Sequence, residues 1–192
     1  PFYKELGNQG ISPENIPVVA FSVGEEELSG LDTKPLVGHL AAWNYFMSAD
    51  AKENAAFIKQ WHTFIKNPKR VTNDPMEATY IGFNLWVKAV EKAKSTDVDK
   101  VRSAIYGLET PNLTGGIAKM LPNHHITKPV LIGEIQADGQ FATVWKTDAE
   151  VPGDAWTDFL PESKKIVADW VDPKIMCGNY NTETKKCSGQ KY

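Results

Sequence analysis

The chain has 192 residues, 42% hydrophobic and 23% charged, with a net charge of −3 and an isoelectric point near 5.8. This is ordinary globular composition, with enough apolar material for one large core or two smaller lobes. Lys and Arg are scattered among Asp and Glu, which leaves no basic field for nucleic acid, and the longest apolar runs, at 18–21 and 130–132, are far shorter than the roughly 18 residues of a membrane span.

Residues 1–9 read as a helix, with Phe2 and Leu6 four apart and Gly10 placed to stop it. Pro1 follows no initiator Met, basic n-region or apolar h-region, so any targeting segment is expected outside this stretch. Residues 16–22 are apolar and β-branched and predict a buried strand. Ser22 then caps a turn with Glu25 completing a capping box, so a strand feeds a helix N-terminus at 22–27, as at ligand sites of α/β sheets. Residues 36–46 lack the polar face of an amphipathic helix and predict a strand passing between two lobes. Phe57, Ile58, Trp61, Phe64 and Ile65 recur at helical spacing up to Asn67-Pro68. A second helix starts with Asp74 as N-cap and Pro75 at N1 and runs to about Lys94. A shorter one runs from residue 96 or 97 to Leu108, ending at the loop 111–116. Strands follow at 117–120, 129–136 and 140–145, the last two joined as a hairpin through Ala137-Asp138-Gly139. Beyond Lys146 the chain is punctuated by Pro, Asp and Trp, with one short helix at 163–170.

Cys177 and Cys187 are separated by nine residues in a polar tail without the further ligands that zinc needs. A disulfide is the preferred reading and two free thiols the alternative; the disulfide implies an oxidising compartment such as the periplasm. Glu25, Glu26 and Glu27 point in three directions on a helix. They read as an acidic first turn favoured by the dipole, or else Glu25 faces a cleft and accepts hydrogen bonds from a ligand. His124 and His125 lie in a segment without metal-ligand spacing and are read as structural, as are His39 and His62. The loop 112–116 lacks both the P-loop and the dinucleotide-binding pattern, and no nucleophile motif occurs anywhere. No enzyme, metal or cofactor is therefore expected. Trp43, Tyr45, Met76 and Tyr80 stand where either core or ligand wall would read the same way.

The runs PFYKELGNQGI, IPVVAFSVGEEEL, DTKPLVGHLAAWNYF, NPKRVTNDPMEATYIGFNLWVKAVEKA, PNLTGGIAKMLPNHHITKPVLIGEIQADGQF and PGDAWTDFLP cover nearly the whole chain. In them the chain resembles the C-terminal half of a type I periplasmic binding protein, specifically the urea or short-chain amide-binding subunit of an ABC transporter. A cytoplasmic amide sensor of the same fold is similar in the same segments, sharing Asn-His at 123 and 124, and is the alternative. The resemblance implies two α/β lobes with parallel sheets flanked by helices, closing by a hinge on a small solute. It assigns 1–42 to the second lobe, 43–126 to the first and 127–192 to the second again, with the missing N-terminal half and the permease subunits as partners. Ligand contacts carried over by position are Ser22, Val23, Gly24 and Glu25, then Met76 and Tyr80; the family's acidic contact aligns with Glu25, with Glu26 one residue away. Urea offers four N–H donors and one carbonyl, so a selective site needs several fixed acceptors shielded from water.

Overall fold

The computed structural model describes residues 2–154, together with 180–181, 184 and 186–187. Two compact units divide the chain, Pro1–Gly153 and Asp154–Tyr192. In the first, α1 (Phe2–Asn8) stops as expected before Gly10, whose φ of 68° only glycine adopts readily. The strand expected over 16–22 shrinks to β1 (Val19–Ala20) and is not buried: Val19 is 45% and Phe21 78% exposed. The reason is its place at a sheet edge, paired on one side only. Helix α2 (Glu25–Leu28) takes Gly24, not Ser22, as its N-cap, and the Gly24 N–H donates to Glu27 Oε2 at 2.8 Å. Glycine has no side chain with which to return the bond, so Glu27 supplies the side-chain part of this cap.

β2 (Leu40–Trp43) occupies only the middle of the predicted 36–46 strand; Lys34–Leu36 form a 3-10 turn before it, and residues 44–47 leave the sheet. α3 (Lys52–Ile65) follows, closed by Lys66 in the left-handed region. α4 (Asp74–Ala93) is capped one residue earlier than expected: Asn73 Oδ1 accepts from the Met76 N–H at 3.1 Å, which leaves the Asp74 carboxylate for other partners. α5 (Val98–Ile105) is capped by Asp97. β3 (Glu109–Pro111), which the sequence reading takes as loop, pairs antiparallel with β4 (Ile117–Lys119) around a turn in which Gly115 and Gly116 both have positive φ. β5 (Leu131–Ile135) and β6 (Phe141–Lys146) form the predicted hairpin, with the Gly139 N–H donating to the Gln136 carbonyl in its turn.

The main sheet has the order β1-β2-β5-β6. Only β1 and β2 are parallel, Val19 opposite Leu40; β2/β5 and β5/β6 are antiparallel, so the sheet is mixed where a parallel one is expected. A tight turn returns β6 directly along β5, and that forces the antiparallel pairing.

The buried apolar residues gather in separate clusters. One joins Tyr3, Leu28, Leu36, Ala41, Phe46, Leu131, Ile135 and Phe141 around the main sheet. A second holds Tyr45, Phe57 and Leu113, and a third Ile81, Leu85 and Ala118 under α4, both drawn from the segment between β2 and β5. Tyr45 and Phe46, neighbours on an extended crossing, thus point into different cores, as the two-residue alternation of extended chain requires. Among the described residues no helix is long and apolar enough to cross a membrane.

In the second unit β7 (Tyr180–Asn181) pairs antiparallel with β8 (Lys186–Cys187). The helix expected at 163–170, Cys177 and the side chain of Cys187 lie outside the described residues, and with them the expected disulfide.

Phe46 and Phe141 stack with ring centroids 4.4 Å apart, directly over Gly133. A methyl at that position would lie 2.7 Å from the Phe46 ring. Gly133→Ala is expected to destabilise the first unit by about 1–3 kcal/mol through overpacking, read as a fall in the thermal midpoint. An unchanged midpoint would show that the stack yields freely.

Candidate functional site

The crossing at 44–47 is where the predicted ligand segments meet. Glu25, 1% exposed at the start of α2, accepts the Met47 N–H on Oε1 at 2.5 Å and faces the Ser48 N–H as well. Its Oε2 is buried without a partner. Met47 in turn passes its carbonyl to Asn54 Nδ2 at 2.9 Å, and its thioether accepts the Thr72 N–H at 3.5 Å. The Met47 side chain packs with Met76 and Tyr80 against Tyr45, Phe57 and Leu113. Tyr45 is fully buried, its hydroxyl 2.7 Å from both Asn54 Oδ1 and Thr72 Oγ1. Burial raises the ionisation point of this phenol, so it acts as a neutral hydrogen-bonding strut.

The residues carried over from the family pattern fall into two groups on either side of this crossing. Ser22 is exposed, Val23 packs at the margin of the main-sheet core, and Gly24 is buried with its α-carbon facing the Trp43 ring, 3.6 Å from an added Cβ. Met76 and Tyr80 are half-buried in the α4 core, and the Tyr80 ring lies 4.9 Å from that of Phe57. Met47 joins the groups: its main chain is held by Glu25 and its side chain packs on the same Tyr45, Phe57 and Leu113 cluster as Met76 and Tyr80. On the other side Glu25 borders a polar cavity of about 360 Å³ shared with Thr33, Lys69, Asp138 and Gln140.

The sequence reading misses the charged half of the junction. Asp74 and Glu77, one turn apart at the start of α4, both receive the Lys128 ammonium, Asp74 Oδ1 at 3.5 Å and Glu77 in a closer contact. Asn44 Nδ2 donates to the Pro129 carbonyl at 2.8 Å. Burial pushes both carboxyls up while Lys128 pulls them down. An i, i+3 acidic pair behind a proline was the available signal, but it reads equally as an ordinary acidic first turn. His124 bonds Tyr106 at 2.6 Å and takes a positive φ of 65° in a turn, and among the described residues no group of three His, Cys, Asp or Glu is placed to hold a metal.

Burial pushes the Glu25 carboxyl up to about 7, against the bonds from its own, Met47 and Ser48 backbone groups, with Glu27 adding repulsion. A carboxyl raised on folding favours the folded state below its ordinary pKa of 4.5, and that contribution is lost as pH rises through about 7. The shift corresponds to roughly 3 kcal/mol. Glu25→Gln keeps an acceptor for Met47 but cannot ionise. Relative to wild type it should gain roughly 3 kcal/mol between pH 4.5 and 8 in denaturant unfolding; parallel stability curves for the two proteins would remove Glu25 as the titrating group.

A family model described as "Periplasmic binding protein domain" matches residues 1–162. Among curated proteins the chain is similar to limonene hydroxylase of Geobacillus stearothermophilus, 30% identical over 122 residues, which cover 64% of this chain and 22% of that protein. Among solved structures it resembles an ABC transporter solute-binding protein from Rhodopseudomonas palustris HaA2 in complex with p-hydroxybenzoic acid, with a TM-score of 0.68 and 24% identity over 78% of this chain and 42% of that one. An amino acid ABC transporter substrate-binding protein from Pseudomonas fluorescens Pf-5 gives 0.64 at 20% identity, over 83% and 42%. The leucine-, isoleucine-, valine-, threonine- and alanine-binding protein from Brucella ovis, in its closed conformation, gives 0.58 at 17%, over 75% and 39%. At these identities the likeness is one of fold, and the chain spans less than half the length of each of these structures.

Proposed function

The chain belongs to the periplasmic binding protein domain family, and on that premise we propose that it is the larger part of the closing machinery of an extracytoplasmic solute-binding protein that delivers urea or a short-chain amide to an ABC transporter permease. The observation that carries the solute class is the excess of acceptors at the junction. Glu25, Asp74 and Glu77 are buried or nearly so, Lys128 is shared by Asp74 and Glu77, Arg70 pairs with Glu26 at 3.2 Å, and Lys69 lines the separate polar cavity on the far side of Glu25. A solute rich in N–H donors and without a carboxylate suits such surroundings, because a second buried anion would meet uncompensated repulsion. In this reading Glu25 and backbone carbonyls accept from the solute, Tyr80 supplies a hydroxyl or a stacking face, and Ser22, Val23, Gly24 and Met76 complete the wall.

Two lobes follow from the same reading. In it residues 1–42 and 127–192 form the second lobe and 43–126 the first; the clusters around Phe57 and Leu85 support a separate core for most of 43–126, while Trp43 and Phe46 pack with the main sheet. In this reading the remaining contacts come from an N-terminal half, consistent with neighbours of which this chain covers 42%. The reading assigns no catalytic step, and the hydroxylase name of one relative attaches to a protein of which this chain matches 22%. Delivery to a permease places the protein outside the cytoplasm, where a Cys177–Cys187 disulfide would persist. Thiol titration of the native protein is expected to find neither cysteine reactive; two reactive thiols would favour the cytoplasmic amide sensor instead.

Calorimetric titration of the full-length protein with urea, acetamide, 4-hydroxybenzoate and leucine tests the solute class. Urea or acetamide should bind, and Glu25→Ala should weaken that binding by roughly tenfold or more, as for a lost buried hydrogen bond to a charged group. Binding confined to 4-hydroxybenzoate or leucine would overturn the amide assignment and leave the family intact.

A further inference from the structure

β1 leads into the 22–25 turn assigned to the solute, yet little fastens it. It pairs over two residues only, Val19 opposite Leu40 and Ala20 opposite Ala41, and its other edge is open among the described residues. The Leu40 N–H donates to the Val18 carbonyl at 2.9 Å, and the next rung of a regular parallel ladder would carry the Val18 N–H to the carbonyl of Gly38. That rung is missing: Gly38 turns at a φ of 99°, and β2 starts only at Leu40. The Val18 N–H goes instead to Nδ1 of His39, at 3.1 Å.

His39 is fully buried, and its backbone is fixed on both sides, the N–H donating to the Leu36 carbonyl at 3.1 Å and the carbonyl accepting the Ile135 N–H at 2.9 Å. Accepting at Nδ1 requires the lone pair there, so the ring is neutral and carries its proton on Nε2. Nε2 is buried without a partner, as is the hydroxyl of Tyr3, whose ring centroid lies 5.8 Å from that of His39. The titratable groups that face the ring are thus Tyr3 from α1 and Glu14 from the turn before β1, while β5 brings the Ile135 backbone. Burial holds the imidazole below its ordinary range, and Glu14, which is exposed and screened by water, pulls weakly the other way. The stability this neutral ring contributes is complete above the ordinary pKa of 6.5 and is lost as pH falls through the lower folded value. A proton on Nδ1 would set two donors against each other at the start of β1.

We propose that His39 is a positioning residue for the solute turn: its neutral Nδ1 stands in for the missing carbonyl at the end of the β1–β2 ladder, and acid unfastens the start of β1 by protonating that atom. The effect on affinity rests on the solute-binding reading, but the effect on Val18 is independent of any solute. Val18 and Ala20 also pack against the main-sheet core, so β1 loosens at its start without leaving the sheet.

The test is amide hydrogen exchange in the full-length, solute-free protein, corrected for the intrinsic pH dependence of exchange, with the Ile135 amide as the reference that a wider opening of the sheet would expose. In wild type the Val18 amide should be about tenfold less protected at pH 4.5 than at pH 8 while Ile135 keeps its protection, the loss expected for one hydrogen bond. His39→Asn, whose Oδ1 takes the place of Nδ1 but cannot ionise, should protect Val18 at both pH values, and His39→Leu, which has no acceptor, at neither. Urea or acetamide affinity at pH 8 should fall about threefold in His39→Leu and recover in His39→Asn. Glu25 titrates in the same range, so the difference between wild type and His39→Asn is the part that belongs to His39. Should His39→Leu not fold, that difference alone decides. Val18 protection that does not change with pH in wild type overturns the proposal, as does protection retained in His39→Leu, or an affinity unchanged in His39→Leu with Val18 unprotected. If the wild-type protein binds neither amide, the solute assignment fails while the Val18 amide still decides the role of His39.

Discussion

When β2 leaves the main sheet after Trp43, its backbone loses the ladder that satisfied it, and side chains must replace those bonds at a place where water is scarce. The Met47 N–H goes to Glu25, the Met47 and Ala49 carbonyls take the two donors of Asn54, and Ser48 Oγ donates to the Phe141 carbonyl. Asn54 is held in turn by the buried hydroxyl of Tyr45. These bonds draw on three elements besides the crossing: α2 through Glu25, α3 through Asn54 twice, and β6 through the Phe141 carbonyl. The crossing is thus fixed in two ways, by these directed bonds along its backbone and by Tyr45 and Phe46, which bury themselves in separate apolar clusters.

The elements that follow from local rules were legible in the sequence. The 131–135 and 141–146 hairpin was marked by Asp138-Gly139 between apolar runs, and α3, α4 and α5 by helical periodicity with Asn67-Pro68, Pro75 and Asp97 at their ends. What escaped depended on partners distant in the chain. Residues 16–22 have the composition of a buried strand, yet Phe21 stands exposed because among the described residues β1 pairs on one side only. The β3–β4 pair was hidden because Pro111 and the Asn112 to Gly116 turn carry loop chemistry, and only the pairing with Ile117 shows the strand. Glu25 was singled out on sequence position, but its hold on Met47 could not be read from either segment alone. Lys128 and Glu77 were invisible for the same reason, being 51 residues apart in the chain and in contact in the fold.

The buried acids illustrate how a site departs from what folding alone would select. Three carboxyls lie near one crossing with one buried ammonium between two of them, and burial raises the pKa of all three. A core built only for stability would fill these positions with apolar side chains. Acids at the starts of α2 and α4 gain from the helix dipoles, which offsets part of the desolvation cost and keeps them at helix ends. Glu25 Oε1 then holds the outgoing crossing at Met47, and the oxygens of Asp74 and Glu77 hold Lys128 on the returning one.

The exposed apolar groups complete this picture from the outside. Phe83 and Trp86 stack on the outer face of α4 with centroids 5.9 Å apart, Phe64 is 80% exposed on α3, and β1 leaves one edge of the main sheet unpaired. Groups of this size left open on neighbouring helices, together with an unpaired strand edge, are surfaces that stable proteins cover. They lie on both sides of the crossing, on the β1 edge and on the α3 and α4 faces.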